Sequence, residues 1–280
     1  MQDTNFSKAE LMVSRVRHPL KLRVLQVKQV KAISTRLVRI TLSGEDLHDF
    51  ESASFDDHIK VFFPKPGEEK PQLPQLGSDG PIFVPDAERP TARDFTPRRF
   101  NREARELDIE FALHEEGPAT GWAAQAKAGQ YLGIGGPRGS MIIPTGFDWH
   151  LLIGDETALP AIARRLEELP EGTRVAVIIE VETPSAQIDL PTAAEAHIQW
   201  VYRQTLGQPG IDHLGVGLMK TLTQLYIPAG EGYVWAAGEA SVIRAVRQYL
   251  VEERSIDKSR IRAASYWKRG AQAVHEKIED

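Results

Sequence analysis

The first half of the chain alternates apolar and polar residues with a period of two. Residues 38–42, 59–63 and 107–113 carry Val, Ile, Leu or Phe at every second position. Strands with one face against a core and the other towards water or a ligand have this period. Gly- and Pro-rich connections separate the runs, including a long loop over residues 64–90. The pattern predicts an antiparallel β domain, built as a barrel or a sandwich.

The pattern changes near residue 147. Short apolar runs now alternate with apolar residues at helical spacing, as in strands buried on both faces and the helices that cover them. The predicted strands are residues 149–154, 174–181, 197–202, 233–237 and 261–265, and the predicted helices are residues 159–169, 214–225 and 241–251. Such alternation is typical of parallel β-α-β units. We predict a β-barrel domain over residues 1–147 and a doubly wound parallel-sheet α/β domain over residues 148–280.

Two segments follow strands of the predicted parallel sheet. Residues 154–158 read Gly-Asp-Glu-Thr-Ala, and residues 238–241 read Gly-Glu-Ala-Ser. Each is expected to open a helix with unpaired backbone N–H groups, which suits an anionic ligand. Taken singly, each is better interpreted as an ordinary helix start, capped by Thr157 or Ser241. Ligands of open α/β sheets bind at the carboxyl ends of the strands, so the shared edge favours a site in a cleft between the domains.

Composition narrows the chemistry. The 280 residues include no cysteine, so disulfides, thiolate nucleophiles and iron–sulfur ligation are excluded and redox activity requires a bound cofactor. The formal charge of -5 argues against a nucleic-acid partner. The eight histidines form no His-x-x-x-His pair and there is no Gly-x-Ser-x-Gly elbow, which leaves little support for a metal-dependent or hydrolytic enzyme. The chain begins without an apolar leader and contains no membrane-length apolar run, so a cytoplasmic protein is expected.

Several motifs occur in an order that is typical of one family. Residues 93–96, Arg-Asp-Phe-Thr, look like the Arg-x-Tyr-Ser/Thr flavin motif of the ferredoxin reductase-like superfamily. Further matching segments are residues 107–114, 117–123, 136–140, 154–160, 237–239 and 266–270. Together, over nearly the whole chain, they resemble the siderophore-interacting protein family, the flavin-dependent ferric-siderophore reductases.

The resemblance implies an FAD site in the first domain. Arg93 would hold the FAD phosphates, Phe95 would lie against the isoalloxazine ring, and Thr96 would place a hydroxyl near its reactive nitrogen. Ala119 and Thr120 would offer backbone N–H groups to the pyrophosphate. The set is completed by Asp94 and His114. Phe95 stands where the motif usually has Tyr, so stacking is kept, the phenolic hydroxyl is lost, and the flavin potential is open to change.

The resemblance also implies nucleotide and substrate sites. The residues assigned to NAD(P)H are Asp155, Glu156, Thr157, Ala158, Gly238 and Glu239. A ferric siderophore is bulky and anionic, and Lys60, Arg138 and Lys268 would hold it, with Arg269 as an alternative to Lys268. Electrons would pass from NAD(P)H through FAD to Fe(III), and Fe(II) binds hard oxygen ligands more weakly, which releases it. No resident metal and no protein acid, base or nucleophile is required.

One segment is a false lead. Residues 133–139, Gly-Ile-Gly-Gly-Pro-Arg-Gly, suggest a dinucleotide fingerprint, but the third glycine is out of place and an extended run follows where a helix is needed. We interpret the segment as a turn from which Arg138 projects.

Several alternatives stay open from the sequence. A general NAD(P)H-flavin reductase or diaphorase and a non-catalytic siderophore-binding protein are both compatible with it, and the electron donor is NADH, NADPH or ferredoxin. The missing cysteine also removes the nicotinamide-facing thiol found near the end of the α/β domain in the wider superfamily. We expect a monomer without stable membrane association.

Overall fold

A computed structural model describes residues 11–77, 80–82, 90–113, 117–205, 213–270 and 276–278. The chain divides into two compact units. Ser14–Ile142 form one, here called the β unit. Ile143–Asp280, together with Met1–Val13, form the other, here called the α/β unit.

The β unit is built from antiparallel strands. Its elements are β1 (Ser14–Arg17), β2 (Leu22–Ala32), β3 (Leu37–Ser43), β4 (Ile59–Phe62), β5 (Gln75–Gly77), β6 (Gly80–Ile82), β7 (Ala92–Phe95), β8 (Arg99–Asn101), β9 (Glu106–Ala112), α1 (Pro118–Ala124), β10 (Tyr131–Gly135) and β11 (Gly139–Ile142). Seven strands form one sheet in the order β7-β4-β10-β2-β3-β9-β8, while β1 pairs with β11 and β5 with β6. The region predicted as one long loop therefore contains a short hairpin.

The seven-stranded sheet curls until β7 approaches β9. The Arg98 N–H donates to the Asp108 carbonyl at 2.9 Å, and the ring centroids of Phe95 and Phe111 lie 4.3 Å apart. Inward side chains such as Ile40 and Ile109, which face each other across β3 and β9, are fully buried. Burial of each such side chain contributes about 1.5–3 kcal/mol. The predicted antiparallel β architecture is confirmed, in the form of a half-barrel.

The α/β unit alternates strands and helices. Its elements are β12 (Trp149–Asp155), α2 (Leu159–Glu168), β13 (Arg174–Val181), β14 (Glu195–Tyr202), α3 (Val216–Gln224), β15 (Gly232–Glu239), α4 (Ala240–Glu252), β16 (Ile261–Trp267) and β17 (Glu276–Lys277). The sheet order is β14-β13-β12-β15-β16-β17, and only β17 runs antiparallel to its neighbour. None of the helices in the described ranges is long and apolar enough to cross a membrane.

Helices cover both faces of this sheet. Leu218 of α3 and Ile243 of α4 share one apolar cluster with Leu151 of β12. The opposite face carries α2, since a Cβ added to Gly154 would lie 2.4 Å from the Cβ of Ala158, next to the start of α2. The doubly wound prediction is confirmed. The connection over residues 182–194, all described, contains a 3-10 turn and no α-helix.

Candidate functional site

The segment predicted to bind flavin begins on β7 and continues into the turn that follows. Successive side chains of a strand point to opposite faces. Phe95 pairs in register with the buried Ile59, and Asp94 pairs with the exposed Lys60. Arg93 therefore shares the face of Phe95, while Asp94 points to the other face. Phe95 is half-buried and packs against the barrel core.

Arg93 has no acidic partner among the described residues. Its Nη1 donates to the Ala92 carbonyl at 2.8 Å, and it forms no ion pair with any residue that the structure describes. The nearby Arg99 is different, because its Nε donates to the Asp108 carboxylate at 2.7 Å. A half-buried, unpaired guanidinium suits a phosphate, which it can bind with two parallel hydrogen bonds.

Thr96 also carries a polar group that lacks a described partner. The residue is 6% exposed, and no described residue hydrogen-bonds its hydroxyl. Thr96 and Arg93 therefore fit a ligand that supplies an anion and a hydrogen-bond partner, as FAD would.

The start of α1 lies towards the same end of the half-barrel as Arg93. The contacts of Arg98 with Asp108 and of Phe95 with Phe111 show that β7 and β9 run antiparallel. Arg93 consequently lies near the end of β9, from which the chain continues to α1. Trp122 of α1 confirms the proximity, since its ring centroid lies 6.2 Å from that of Phe111.

The first turn of α1 has no capping side chain. Gly117, with φ 136°, is the residue before the helix, and Pro118 has no N–H to satisfy. The Gly121 N–H donates to the Gly117 carbonyl, whereas those of Ala119 and Thr120 have no acceptor in the described part of the chain. The role of both N–H groups towards a pyrophosphate stays a prediction. His114 lies outside the described residues.

Lys60 and Asp94, assigned to substrate and to FAD, contact each other instead. The Lys60 Nζ lies 2.7 Å from Asp94 Oδ1, and the Lys60 side chain is 49% exposed. An exposed pair of this kind contributes only about 0–1 kcal/mol. The charge of Lys60 is thus accessible but already balanced, which the sequence did not reveal.

Arg138 projects from a glycine turn between β10 and β11. Gly136 has φ 91°, and a Cβ added to Gly139 would lie 2.5 Å from the Val16 carbonyl oxygen. The run that follows is strand β11, so the interpretation as a turn rather than a fingerprint holds. Arg138 is exposed and has no acidic partner among the described residues.

A hydrogen-bond network beside that turn was not predicted. The Ser140 hydroxyl donates to Asp57 Oδ2 at 2.7 Å, and His18 Nε2 lies 2.8 Å from Ser140 Oγ. The His18 backbone N–H donates to the Arg138 carbonyl at 3.0 Å. His18 Nδ1 also lies 3.4 Å from Glu51, which superficially resembles a hydrolytic triad. Ser140 is buried and already donates its proton to Asp57, so the group is structural and connects Asp57 to the Arg138 turn.

Asp155 lies buried at the carboxyl edge of the parallel sheet and accepts several hydrogen bonds there. The residue is 4% exposed, and its Oδ1 accepts hydrogen bonds from the Thr157 N–H and hydroxyl at 2.9 and 2.5 Å. Its Oδ2 accepts from the Glu239 N–H at 3.1 Å and from the Trp267 indole N–H at 2.8 Å. Burial, followed by the neighbouring charge of Glu156, raises the pKa of Asp155 above its ordinary value.

Glu156 is also occupied internally. Its carboxylate accepts from Arg203 Nη1 at 3.0 Å and from the Glu182 N–H at 2.7 Å. Glu180 is buried beside it and accepts from the Gly215 N–H at 3.0 Å, and burial raises the pKa of Glu180.

Glu239 caps helix α4. Its Oε2 accepts from the Ser241 N–H at 2.6 Å and from the Val242 N–H at 3.2 Å, while its Oε1 accepts from the Arg269 N–H at 3.3 Å. The predicted caps, Thr157 and Ser241, are therefore wrong.

The expectation of unpaired N–H groups at the start of α2 is also wrong. The Thr157 N–H donates to the Asp155 carboxylate, and the Ala158 N–H donates to the Asp155 carbonyl at 3.0 Å. The physical reason is that Asp155 accepts from both donors, with its side chain from Thr157 and with its backbone carbonyl from Ala158.

Lys268 follows β16 directly at this edge. It is exposed and has no acidic partner in the described ranges, whereas Arg269 is anchored by its backbone to Glu239. Gly238, at φ 154°, lies against Asp155 at the same edge, because a Cβ there would lie 2.6 Å from Asp155 Oδ2. All six residues assigned to NAD(P)H therefore lie at one edge of one sheet, with the three carboxylates engaged internally.

The half-barrel and the doubly wound sheet define the ferredoxin reductase-like fold. The structure superposes on the ferredoxin reductase in carbazole 1,9a-dioxygenase with a TM-score of 0.60 at 16% identity, over 87% of this chain and 69% of that one.

Sequence comparison is more specific. Residues 26–141 match the family described as siderophore-interacting FAD-binding domain, and residues 147–270 match the one described as siderophore-interacting protein. The NADPH-dependent ferric-chelate reductase of Escherichia coli K12 is 35% identical over 90% of this chain and 95% of its own length. A siderophore utilization protein from T. fusca superposes with a TM-score of 0.85 at 36% identity, over 94% of this chain and 98% of that one. The chain belongs to the siderophore-interacting protein family.

Proposed function

We propose that the chain is an FAD-dependent reductase of ferric siderophores that takes its electrons from NAD(P)H. The observation that carries the proposal is the Arg93 guanidinium, which has no acidic partner among the described residues, together with the nearby Thr96 hydroxyl, which has no described hydrogen-bond partner. Both lie in the unit that matches a siderophore-interacting FAD-binding domain. The resemblance to a ferric-chelate reductase over 95% of that protein's length supports the substrate class.

The residues of the β unit have separate tasks in this proposal. FAD, when bound, supplies the conversion between hydride transfer and the one-electron reduction of Fe(III). Arg93 neutralises its phosphates, and the N–H groups of Ala119 and Thr120 donate to them. Phe95 offers an apolar ring that excludes water, and Thr96 provides a polar contact next to it. Asp94 acts indirectly, through its ion pair with Lys60.

Exposed cations would bind the anionic substrate. Arg138 and Lys268 are exposed and have no acidic partner among the described residues, so they can pair with an anion without breaking an existing ion pair. Lys60 would contribute less, because Asp94 already balances it. Once reduced, iron leaves because Fe(II) binds hard oxygen ligands less tightly than Fe(III).

The electron donor would bind at the carboxyl edge of the α/β unit. The carboxylates of Asp155, Glu156 and Glu239 and the N–H groups of Thr157 and Ala158 are engaged internally, so NAD(P)H would contact the segment at Gly238. NADPH is the first donor to test because the E. coli relative is named as NADPH-dependent, and ferredoxin is the alternative. We further propose domains over residues 1–147 and 148–280 and a monomer that acts in the cytoplasm.

The test is anaerobic. The purified protein should show flavin absorbance, which NADH, NADPH or reduced ferredoxin should bleach. Addition of a ferric siderophore should then restore the absorbance and produce Fe(II), trapped by a chromogenic chelator. A protein that binds no flavin contradicts the proposal. A faster rate with free flavin or a quinone than with the ferric siderophore would favour a general flavin reductase.

A further inference from the structure

A β-bulge lies where β15 pairs with β16. Gly238 pairs with Ser265, but the next residue, Glu239, pairs with Trp267, so Tyr266 is inserted. Bulges bend a strand and re-aim its side chains. Here the indole of Trp267 reaches across β15 and donates to Asp155 on β12 at 2.8 Å.

The approach of Asp155 to this bulge depends on glycine. A Cβ on Gly238 would lie 2.6 Å from Asp155 Oδ2, so any larger residue would displace the carboxylate. With Gly238 in place, Asp155 Oδ2 accepts from both the Glu239 N–H and the Trp267 indole. One buried carboxylate thus joins three neighbouring strands.

Glu239 makes a second connection to the residues that follow the bulge. Its Oε2 caps α4, and its Oε1 accepts from the Arg269 N–H at 3.3 Å. Residues 267–269 are therefore held on both sides of Lys268, by Trp267 to Asp155 and by Arg269 to Glu239. Lys268 itself is exposed and has no acidic partner among the described residues.

The charges make these two acids poor direct contacts for a dinucleotide. NAD(P)H is an anion, and the Asp155 carboxylate is buried with four protein donors already directed at it. Direct contact with NAD(P)H would expose the negative charge of Asp155 to a negatively charged ligand. A carboxylate that holds a neighbouring cation in place meets no such penalty.

We propose that Asp155 and Glu239 are positioning residues for Lys268: they fix residues 267–269 at the carboxyl edge of the sheet, so that the Lys268 ammonium is presented to the anionic ferric chelate. This inference rests on the proposed function. It replaces, for these two side chains, a role in contacting NAD(P)H.

The test uses Asp155→Asn and Trp267→Phe, singly and together, in the flavin-loaded full chain. Affinity is measured without turnover, by titrating the redox-inert gallium(III) complex of a catecholate siderophore. Each single variant should weaken binding about tenfold, the scale of losing one charge-assisted hydrogen bond. The double variant should bind no more weakly than the worse single one, because both remove the same contact. The rate of flavin reduction by NADPH should stay unchanged in Trp267→Phe, which leaves the contacts of Asp155 with Thr157 and Glu239 in place.

Two further variants complete the design. Lys268→Ala should weaken binding of the gallium complex as much as Asp155→Asn or Trp267→Phe does. Adding Trp267→Phe to Lys268→Ala should weaken the binding no further. Asp257→Asn is the matched control, since Asp257 makes the same kind of contact, to the Ser259 N–H at 2.8 Å, outside this edge. It should leave the affinity unchanged. If Asp155→Asn does not fold, Trp267→Phe and Lys268→Ala decide the question alone.

The outcomes separate this inference from the function beneath it. Three outcomes would each overturn the positioning role. The first is wild-type affinity in Trp267→Phe, and the second is additive effects of the two single variants. The third is a raised KM for NADPH with unchanged affinity for the gallium complex. A wild-type protein that neither binds the gallium complex nor reduces the ferric one contradicts the proposed function instead.

Discussion

The two units treat polar side chains at their assigned ligand sites in opposite ways. In the β unit, Arg93 has no acidic partner and the hydroxyl of Thr96 has no hydrogen-bond partner among the described residues. At the carboxyl edge of the α/β unit, Asp155 and Glu239 have every carboxylate oxygen hydrogen-bonded within the protein. Arg93 and Thr96 therefore have hydrogen-bonding capacity left for a ligand, whereas the carboxylates of the α/β edge do not. Substitutions should therefore change ligand affinity in the first region and protein geometry in the second.

The largest effect is expected from Arg93→Gln. Loss of a bidentate cation should weaken FAD binding about 100-fold, because charge-assisted hydrogen bonds to phosphate are among the strongest available. Fluorescence titration of the apoprotein with FAD would measure this. Arg102→Gln is the control, since Arg102 is exposed and stacks on Phe100 in the same unit. Equal FAD affinity in wild type and Arg93→Gln would mean that an unpaired guanidinium is no guide to the ligand site.

Acid should destabilise the α/β unit through His150. Burial, and next the charge of Arg165, lowers the pKa of His150 from 6.5 to about 4. The unfolded chain then binds a proton more readily than the folded one, so this contribution is present above pH 6.5 and is lost as the pH falls towards 4. The loss should be about 2–3 kcal/mol over that window. Urea unfolding at stepped pH would measure it, and His150→Leu should flatten the profile. An equally steep profile in His150→Leu would assign the acid sensitivity to other groups.

Thr96→Val tests the unsatisfied hydroxyl of the β unit. The substitution keeps the shape of the side chain and removes a group that has no described partner, so the apoprotein should be as stable as wild type or slightly more so. FAD affinity should fall about tenfold through the lost hydrogen bond. Thr41→Val is the opposite case, because the buried Thr41 hydroxyl donates to Asp108 at 2.7 Å. It should lower the free energy of unfolding by about 1 kcal/mol and leave FAD affinity alone. The reverse pattern would contradict the distinction between hydroxyls with and without a protein partner.

Periodicity predicted every long element of the α/β unit because buried parallel strands and amphipathic helices carry their signal within a few neighbouring residues. Short strands were missed for the opposite reason. The strand β8, Arg99–Asn101, is defined by its pairing with β9, and β5 and β6 are defined by each other. Their own sequences contain too few positions to show a period.

The candidate site divides in the same way. Arg93, Phe95 and Thr96 could be identified because they form one contiguous motif. The contact of Asp155 with Trp267 joins residues 112 positions apart and depends on a bulge, which no local pattern indicates. The ion pair of Lys60 with Asp94 likewise depends on strand register, and it changed the interpretation of both residues.

The smallest effect is expected at the Arg138 turn, where the β unit contains a hydrogen-bond network of its own. Ser140→Ala removes the hydroxyl that connects Asp57 to His18, whose backbone holds the Arg138 carbonyl. The KM for the ferric siderophore should rise about threefold to tenfold with kcat unchanged, since a loosened turn loses about 1 kcal/mol of binding. His18→Gln, which keeps a donor near the position of Nε2, should stay close to wild type. A lower unfolding midpoint without any change in KM would show that this network, unlike the one around Lys268, supports only the fold.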